Sequence, residues 1–343
     1  GIDLVSPIAV PYNENFTNVV LDQNGWRVYD VNDDEVIWTK TSAKLQYAYS
    51  DALVANDWVM TPCINIPAGK YEIAYSYNAL SVMPESFSVY MGLGPSVADM
   101  TTLVASHPSV VKTASDIIFR DTITLTTDGI YYFGFNATSL PGNLGLTVDN
   151  FSITPMIDLN VTYGPNGMID PNGLVTVPLN STATFGISPN PGFHIKGIFV
   201  DDVMVRGEDM QNSRFEFFNY GPVQQAANIH VTFEVSQYNV VASASNYMGI
   251  DYFGDGTIAG TIAPMDTTVV EFGFTQDYII TPAEHYHLYS FLVDGQESIG
   301  NLTDLGNGTF KYNTGRVYAH HTLEAIFKLD TVAIIYNIHS GQG

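Results

Sequence analysis

The segment Asp30-Val-Asn32-Asp-Asp34 sets side-chain oxygens at alternate positions of a short loop. That spacing turns the oxygens toward one side, and calcium gathers six to eight such oxygens. The loop lacks the glycine and the distal glutamate of an EF-hand. A second segment, Asn246-Tyr-Met-Gly-Ile-Asp251-Tyr-Phe-Gly-Asp255-Gly, is aromatic and acidic. Tyr247, Tyr252 and Phe253 are suited to stacking on sugar rings, and Asp251 and Asp255 to bonding sugar hydroxyls, on a loop of the kind that often carries function. The plain alternatives are a solvated acidic loop for the first segment and a decorated hairpin for the second.

Other chemistry finds little support. Cys63 is the single cysteine, so no intrachain disulfide forms, and its strand-like setting reads as a buried small hydrophobe. His194 and His287 recur at one repeat position without converging partners. No Ser-His-Asp pattern, zinc signature, phosphate-cradling loop or dinucleotide glycine pattern is present. A glycosidase pair of carboxylates has no local signature and stays open. The reading is therefore a protein without catalytic residues in this chain.

Charge narrows the partners. The 343 residues hold 12 Lys plus Arg against 35 Asp plus Glu, a formal charge of −23. Twelve cations in 343 residues do not readily make the basic patch that nucleic acid or an anionic membrane surface demands. No apolar run of transmembrane length occurs, so no membrane insertion within these residues is expected. Hydrophobic residues make up 45% and charged ones only 14%, so the chain can build cores and must be polar through Asn, Ser, Thr and Tyr.

The elements that must position these groups read as strands. Tyr71-Glu-Ile-Ala-Tyr-Ser-Tyr, Phe87-Ser-Val-Tyr-Met and Ile130-Tyr-Tyr-Phe-Gly-Phe are short, aromatic and β-branched. Ser96 to Ser106 reads as a short helix. Trp26, Trp38 and Trp58 read as core. Beyond Pro155 the chain repeats. Gly167-Met-Ile-Asp-Pro171 matches Gly260-Thr-Ile-Ala-Pro264 at a shift of 93, and the same shift pairs Ile187-Ser-Pro with Ile280-Thr-Pro and Val200-Asp-Asp with Val293-Asp-Gly. The openings Asn160-Val-Thr and Asn239-Val-Val are only 79 apart, so the second repeat carries 93 − 79 = 14 more residues, near Asn246 to Ile258. Self-similarity of this length predicts tandem modules. Ile187, Ile280, Val200 and Val293 are expected to be buried. The Asp201-Asp202 turn looks less favourable than Asp294-Gly295.

Residues 1–155 resemble the cleaved-adhesin or choice-of-anchor jelly-roll domains of Bacteroidetes surface proteins. Glu14-Asn-Phe16, Asn24-Gly-Trp26, Trp38, Asp57-Trp58-Val-Met-Thr-Pro62, Gly69-Lys-Tyr71 and Val148-Asp149-Asn150-Phe151 carry the resemblance. It implies a calcium that clips the first and last strands through Glu14 and Asp149, and an acidic loop at Asp30, Asn32 and Asp34. Residues 157–328 resemble two divergent internalin B-type repeats through Gly-x-Ile-x-Pro, Ile-Ser/Thr-Pro and Val-Asp-Gly. Asp121-Thr-Ile, Asp266-Thr-Thr and Asp330-Thr-Val resemble the O-glycosylation sequon of exported Bacteroidetes proteins.

The resulting expectation is an all-β chain. A jelly-roll β-sandwich spans 1–155, and two small β, β-grasp-like modules span 156–236 and 237–329. Residues 330–343 read as the start of a third copy. The expected function is a non-catalytic extracellular or outer-surface adhesin, whose head binds a glycan or a host or bacterial surface protein and holds structural calcium. The alternatives are an accessory region of a larger secreted protease or glycoside hydrolase, and a spacer with no ligand.

Overall fold

The computed structural model describes residues 6–207, 215–247 and 259–331. They pack as two compact units. Of the described residues, the first holds those up to 160 with 174–184 and 219–227, and the second holds those of 161–173, 185–218 and 228–331.

The sequence runs of alternating aromatic and polar residues become strands. In chain order these are β1 (Ile8–Ala9), β2 (Tyr12–Glu14), β3 (Arg27–Asp30), β4 (Trp38–Thr41), β5 (Lys44–Tyr47), β6 (Asp57–Met60), β7 (Ile64–Ile66), β8 (Gly69–Ala79), β9 (Glu85–Gly92), β10 (Thr102–Val110), β11 (Ile117–Leu125), β12 (Gly129–Ala137) and β13 (Leu146–Tyr163). In one sheet β12 lies between β9 and the β6–β7 segment, with β10 beyond β9, β3 beyond β6, and β1 parallel to β7. In the other, β8 lies between β11 and β13, and β13 also pairs with β5 and β2. The period of two sends Phe133 and Phe135 of β12 and Ile73 and Tyr75 of β8 inward, where all four are buried. Tyr75 meets Phe135 edge to face at 5.4 Å, and Phe133 meets Phe151 at 5.6 Å, so rings from both sheets interlock. Each such ring contributes about 1.5–3 kcal/mol by burial.

The helix expected over Ser96 to Ser106 is not formed. A 3-10 turn covers Val97–Asp99, and the rest enters β10, because pairing with β9 outweighs the weak local preference. Cys63 is half-buried rather than buried. No linker marks Pro155: β13 runs through it without a break.

The repeat region continues with β14 (Gly167–Asp170), β15 (Gly173–Pro178), β16 (Ala183–Pro189), β17 (Phe193–Val200), β18 (Val203–Arg206), β19 (Glu216–Tyr220) and β20 (Ala227–Val235). It is followed by β21 (Gln237–Asn246), β22 (Gly260–Ala263), β23 (Asp266–Glu271), β24 (Asp277–Pro282), β25 (Tyr286–Val293), β26 (Gln296–Glu297), β27 (Thr303–Gly306), β28 (Thr309–Asn313) and β29 (His321–Leu329). The strand orders are β15-β13-β20-β17-β18 with β14-β16-β19, and β23-β21-β29-β25-β26 with β22-β24-β28-β27.

Sequence features of the repeats have local causes. A β-carbon on Gly167 would stand 2.4 Å from the Phe233 ring, and one on Gly260 would stand 2.6 Å from the Phe327 ring. Only glycine admits a ring so close. Ile169 pairs with Ile187 and Ile262 with Ile280, and all four are buried. Val200 and Val293 are half-buried instead, because each borders a two-residue turn at the end of its hairpin. Asp201 and Asp202 both take left-handed backbone, φ 47° and 63°, as Asp294 and Gly295 do at 51° and 76°. Aspartate tolerates that region, so the Asp-Asp turn takes the same backbone as Asp-Gly.

Candidate metal centre and cleft

Strand β3 ends at Asp30, and the register of β3 against β6 sets Asp30 opposite Asp57. The loop that follows curls back on itself. Asp34 N and Glu35 N donate to Asp30 Oδ1 and Oδ2 at 3.3 and 2.9 Å, and Val36 N donates to Asp34 Oδ1 at 2.9 Å. Asn32 Nδ2 donates to Asp34 Oδ2 at 3.1 Å and to Val54 O at 2.9 Å. One carboxylate oxygen each from Asp30, Asp34 and Asp57 therefore comes within 4.8 Å of the others.

Asp57 is fully buried. Its Oδ2 accepts from the Tyr47 hydroxyl at 2.8 Å and from Asn56 N at 3.3 Å, and Trp38 Nε1 holds its carbonyl at 2.9 Å. Its Oδ1 is buried with no hydrogen-bond partner, and so is Asn32 Oδ1. An unsatisfied buried acceptor costs about 1–3 kcal/mol. Burial pushes the Asp57 carboxyl up to about 6; the Tyr47 hydrogen bond opposes this, and the charges of Asp34 and Asp30 add to it. The Tyr47 phenol is driven well above its ordinary value, by burial first and then by Asp57, so it stays a donor. Three carboxylates form an all-oxygen donor set, braced by the Asn32 amide nitrogen on Asp34. They suit a hard divalent cation, which would neutralise the crowded charge and engage the orphaned Asp57 oxygen.

The spacing of Asp30, Asn32 and Asp34 was legible in the sequence. Asp57 was not, because its place depends on the β3–β6 register. The available signal was a carboxylate opening a strand whose four residues are all buried.

Glu14 and Asp149 sit on paired strands, with Glu14 opposite Phe151. Local donors use both carboxylates: Phe16 N binds Glu14 Oε1 and Asn150 N binds Asp149 Oδ1, each at 2.7 Å. Burial raises the Asp149 carboxyl, although the Asn150 amide and Lys44 oppose it. Among the described residues, only Asp30, Asp34 and Asp57 bring three acidic, His or Cys ligand atoms that close together.

The stems of the acidic loop line a cleft of about 630 Å³. Val28 comes from one stem, and Ile37, Trp38, Thr39 and Lys40 from the other; Val19 to Asp22 and Trp26 complete the lining. Trp26 and Trp38 are buried beneath it, as core residues, whereas Val20 and Ile37 are 49% and 40% exposed. Trp58 is buried as well. An apolar floor with Asp22, Thr39 and Lys40 at hand fits the usual character of ligand clefts.

Tyr247 packs against Tyr289 with ring centroids 4.4 Å apart, and Lys328 Nζ lies 4.8 Å from the Tyr247 ring. Asp251, Tyr252, Phe253 and Asp255 lie outside the described residues, as does most of the third-copy segment, 332–343. His194 and His287 occupy β17 and β25 and bond to Ser236 and Asp330, not to each other.

No protein-family model matches the chain, and no curated protein matches its sequence. Among solved structures, it is similar to the K3 cleaved adhesin domain of Lys-gingipain from Porphyromonas gingivalis. There the identity is 19%, the match covers 42% of this chain and 97% of that one, and the TM-score is 0.34. The K1 cleaved adhesin domain of the same protein matches at 14% identity, over 43% and 98% of the two chains, with a TM-score of 0.35. The CBM22-1 xylan-binding domain of Paenibacillus barcinonensis Xyn10C matches at 12% identity, over 43% and 96%, with a TM-score of 0.31.

Proposed function

We propose that this chain is a non-catalytic, adhesin-like binding protein whose sandwich head is stabilised by calcium. The cation sits at Asp30, Asp34 and Asp57, with Asn32 bracing Asp34, in preference to Glu14 and Asp149. The observation that carries this reading is the buried, unpartnered Asp57 Oδ1 inside a cluster of three carboxylates. The cleft between the loop's two stems receives the ligand, an extracellular glycan or a surface protein, and calcium holds the stems in place.

Later in the chain, residues 156–236 and 237–329 are tandem modules of one fold that act as spacers. Their matching strand orders support this, as do their hydrogen bonds. Asn180 N binds Val223 O and Gly273 N binds Val317 O; Asp201 N binds Asn228 O and Asp294 N binds Thr322 O. The working place is outside the cell, where millimolar calcium fills modest sites. No helix among the described residues is long and apolar enough to cross a membrane.

A glycan array probed with the full chain, in calcium and in chelator, tests the ligand reading. Calcium-dependent binding that is lost on Ile37→Asp supports the cleft. Binding indifferent to both calcium and Ile37 contradicts it.

A further inference from the structure

One residue, Ser236, separates β20 from β21. Around it the two repeats, both in the second compact unit over these residues, form a close joint. Ser236 N donates to Gly192 O and Phe272 N donates to Ser236 O, both at 2.8 Å. The Phe272 ring lies on Gly192, where a β-carbon would come within 2.4 Å of it. His194 Nδ1 faces Ser236 Oγ at 3.4 Å. Both residues are buried, with 7% and 6% exposure.

The same geometry recurs one repeat later. Gly192, His194 and Ser236 correspond to His285, His287 and Asp330, at shifts of 93, 93 and 94. Asp330 N donates to His285 O at 2.8 Å, as Ser236 N does to Gly192 O. His287 Nδ1 lies 2.8 Å from Asp330 Oδ1, as His194 lies beside Ser236. Here, however, both side chains are 50% exposed.

We propose that the face carrying His285, His287 and Asp330 is a docking face for a further module of this same fold, and that it continues the joint already made between the two repeats. The proposal rests on the tandem-module reading. The joint also indicates what the incoming module carries. His285 takes left-handed backbone, φ 70°, as Gly192 does at 87°, but it bears a β-carbon. A ring seated like Phe272 would collide with that carbon. Leu179 occupies the Phe272 position in the first repeat, and Leu179 N donates to Pro155 O at 2.8 Å, so the same backbone link forms with an aliphatic side chain. The face therefore selects a module whose side chain at that position turns away from His285, and the His287–Asp330 pair, in place of His194 and Ser236, gives its rim a polar contact.

The test inserts a repeat of residues 156–236, which carry Leu179, into the full chain directly after Asp330. Hydrogen–deuterium exchange of the amides from His285 to His287 and of Asp330 is expected to slow by about tenfold or more, as residues covered by packing do. Exchange unchanged at these amides overturns the proposal, whether or not the added copy folds, since a face built for docking would support it. The tandem-module reading fails separately if the amides of Ile187 and Ile280 differ widely in protection in the unextended chain.

Discussion

The sandwich and the repeats hold their carboxylates differently. In the repeats, carboxylates lie at the surface and find partners in their own chain. Asp294 takes the Thr322 amide at 2.8 Å and the His321 ring at 2.7 Å; Asp277 takes Asn313 at 2.6 Å and Lys311 at 2.7 Å. In the sandwich, Asp57 is buried beside two further carboxylates and keeps an oxygen without a partner. His107 is likewise walled in by Tyr75, Tyr77, Phe87 and Phe119. A carboxylate satisfied on a surface calls for no ligand. Glu85 of the sandwich is also fully buried with one unpartnered oxygen, but only Asp57 has two further carboxylates within reach of a shared cation.

The largest effect should appear in acid. Burial holds the His107 imidazole down at about 4, with its Nε2 facing the Tyr75 hydroxyl at 2.6 Å. The unfolded chain takes up that proton near 6.5, so stability is complete above that pH and falls as pH drops toward 4. The loss reaches about 3 kcal/mol at most. The Asp57 carboxyl, raised to about 6 by burial, works the other way, because the folded chain takes up that proton first. In the repeats, burial lowers His194 and Lys311 lowers Asp277, so they too lose stability in acid. Chemical denaturation of His107→Gln beside the parent chain between pH 7 and 4 isolates the imidazole: the variant should lose less stability over that range. An identical pH dependence in the two chains would contradict the part given to His107.

The repeats should be sensitive to fit. Gly167→Ala and Gly260→Ala each force a methyl into a ring, and overpacking of this kind costs about 1–3 kcal/mol. The two losses should agree, since Phe233 and Phe327 sit alike. A neutral result at one site only would show that the two repeats are built differently.

The smallest effect belongs to the surface carboxylates. Asp201→Asn and Asp294→Asn each keep a side chain that tolerates the left-handed backbone and remove the charge facing a backbone amide, from Asn228 and Thr322 respectively. Each should cost under about 1 kcal/mol, the scale of exposed charged contacts. Urea midpoints of the two variants sharpen the comparison; a loss of several kcal/mol would mean that the repeats also depend on their charges.

Much of this was legible in the sequence where a local cause left a local mark. Gly-x-Ile-x-Pro recurs because a ring covers the glycine and the isoleucine pairs into a core. Asp30, Asn32 and Asp34 stand out because the loop that holds them is continuous. Asp57 was hidden because only strand register brings it to Asp30, across 27 positions of sequence. The joint was hidden for the same reason: Gly192 and Phe272 are 80 residues apart. Ser96 to Ser106 was misread as helix because its fate was set by β9, not by its own residues.

Calcium at the Asp57 cluster is the proposal on which the function of the head rests. Calorimetric titration of the full chain with calcium at pH 7.5, beside Asp57→Asn, tests it most directly. Calcium at a hundredfold excess over its Kd would raise stability by about 2.7 kcal/mol. The account predicts a saturable site in the wild-type chain, protection from exchange at residues 30–36, and loss of both in the variant, which should remain folded because it sheds a buried charge. Absence of binding at millimolar calcium, or equal binding by Asp57→Asn, would contradict it.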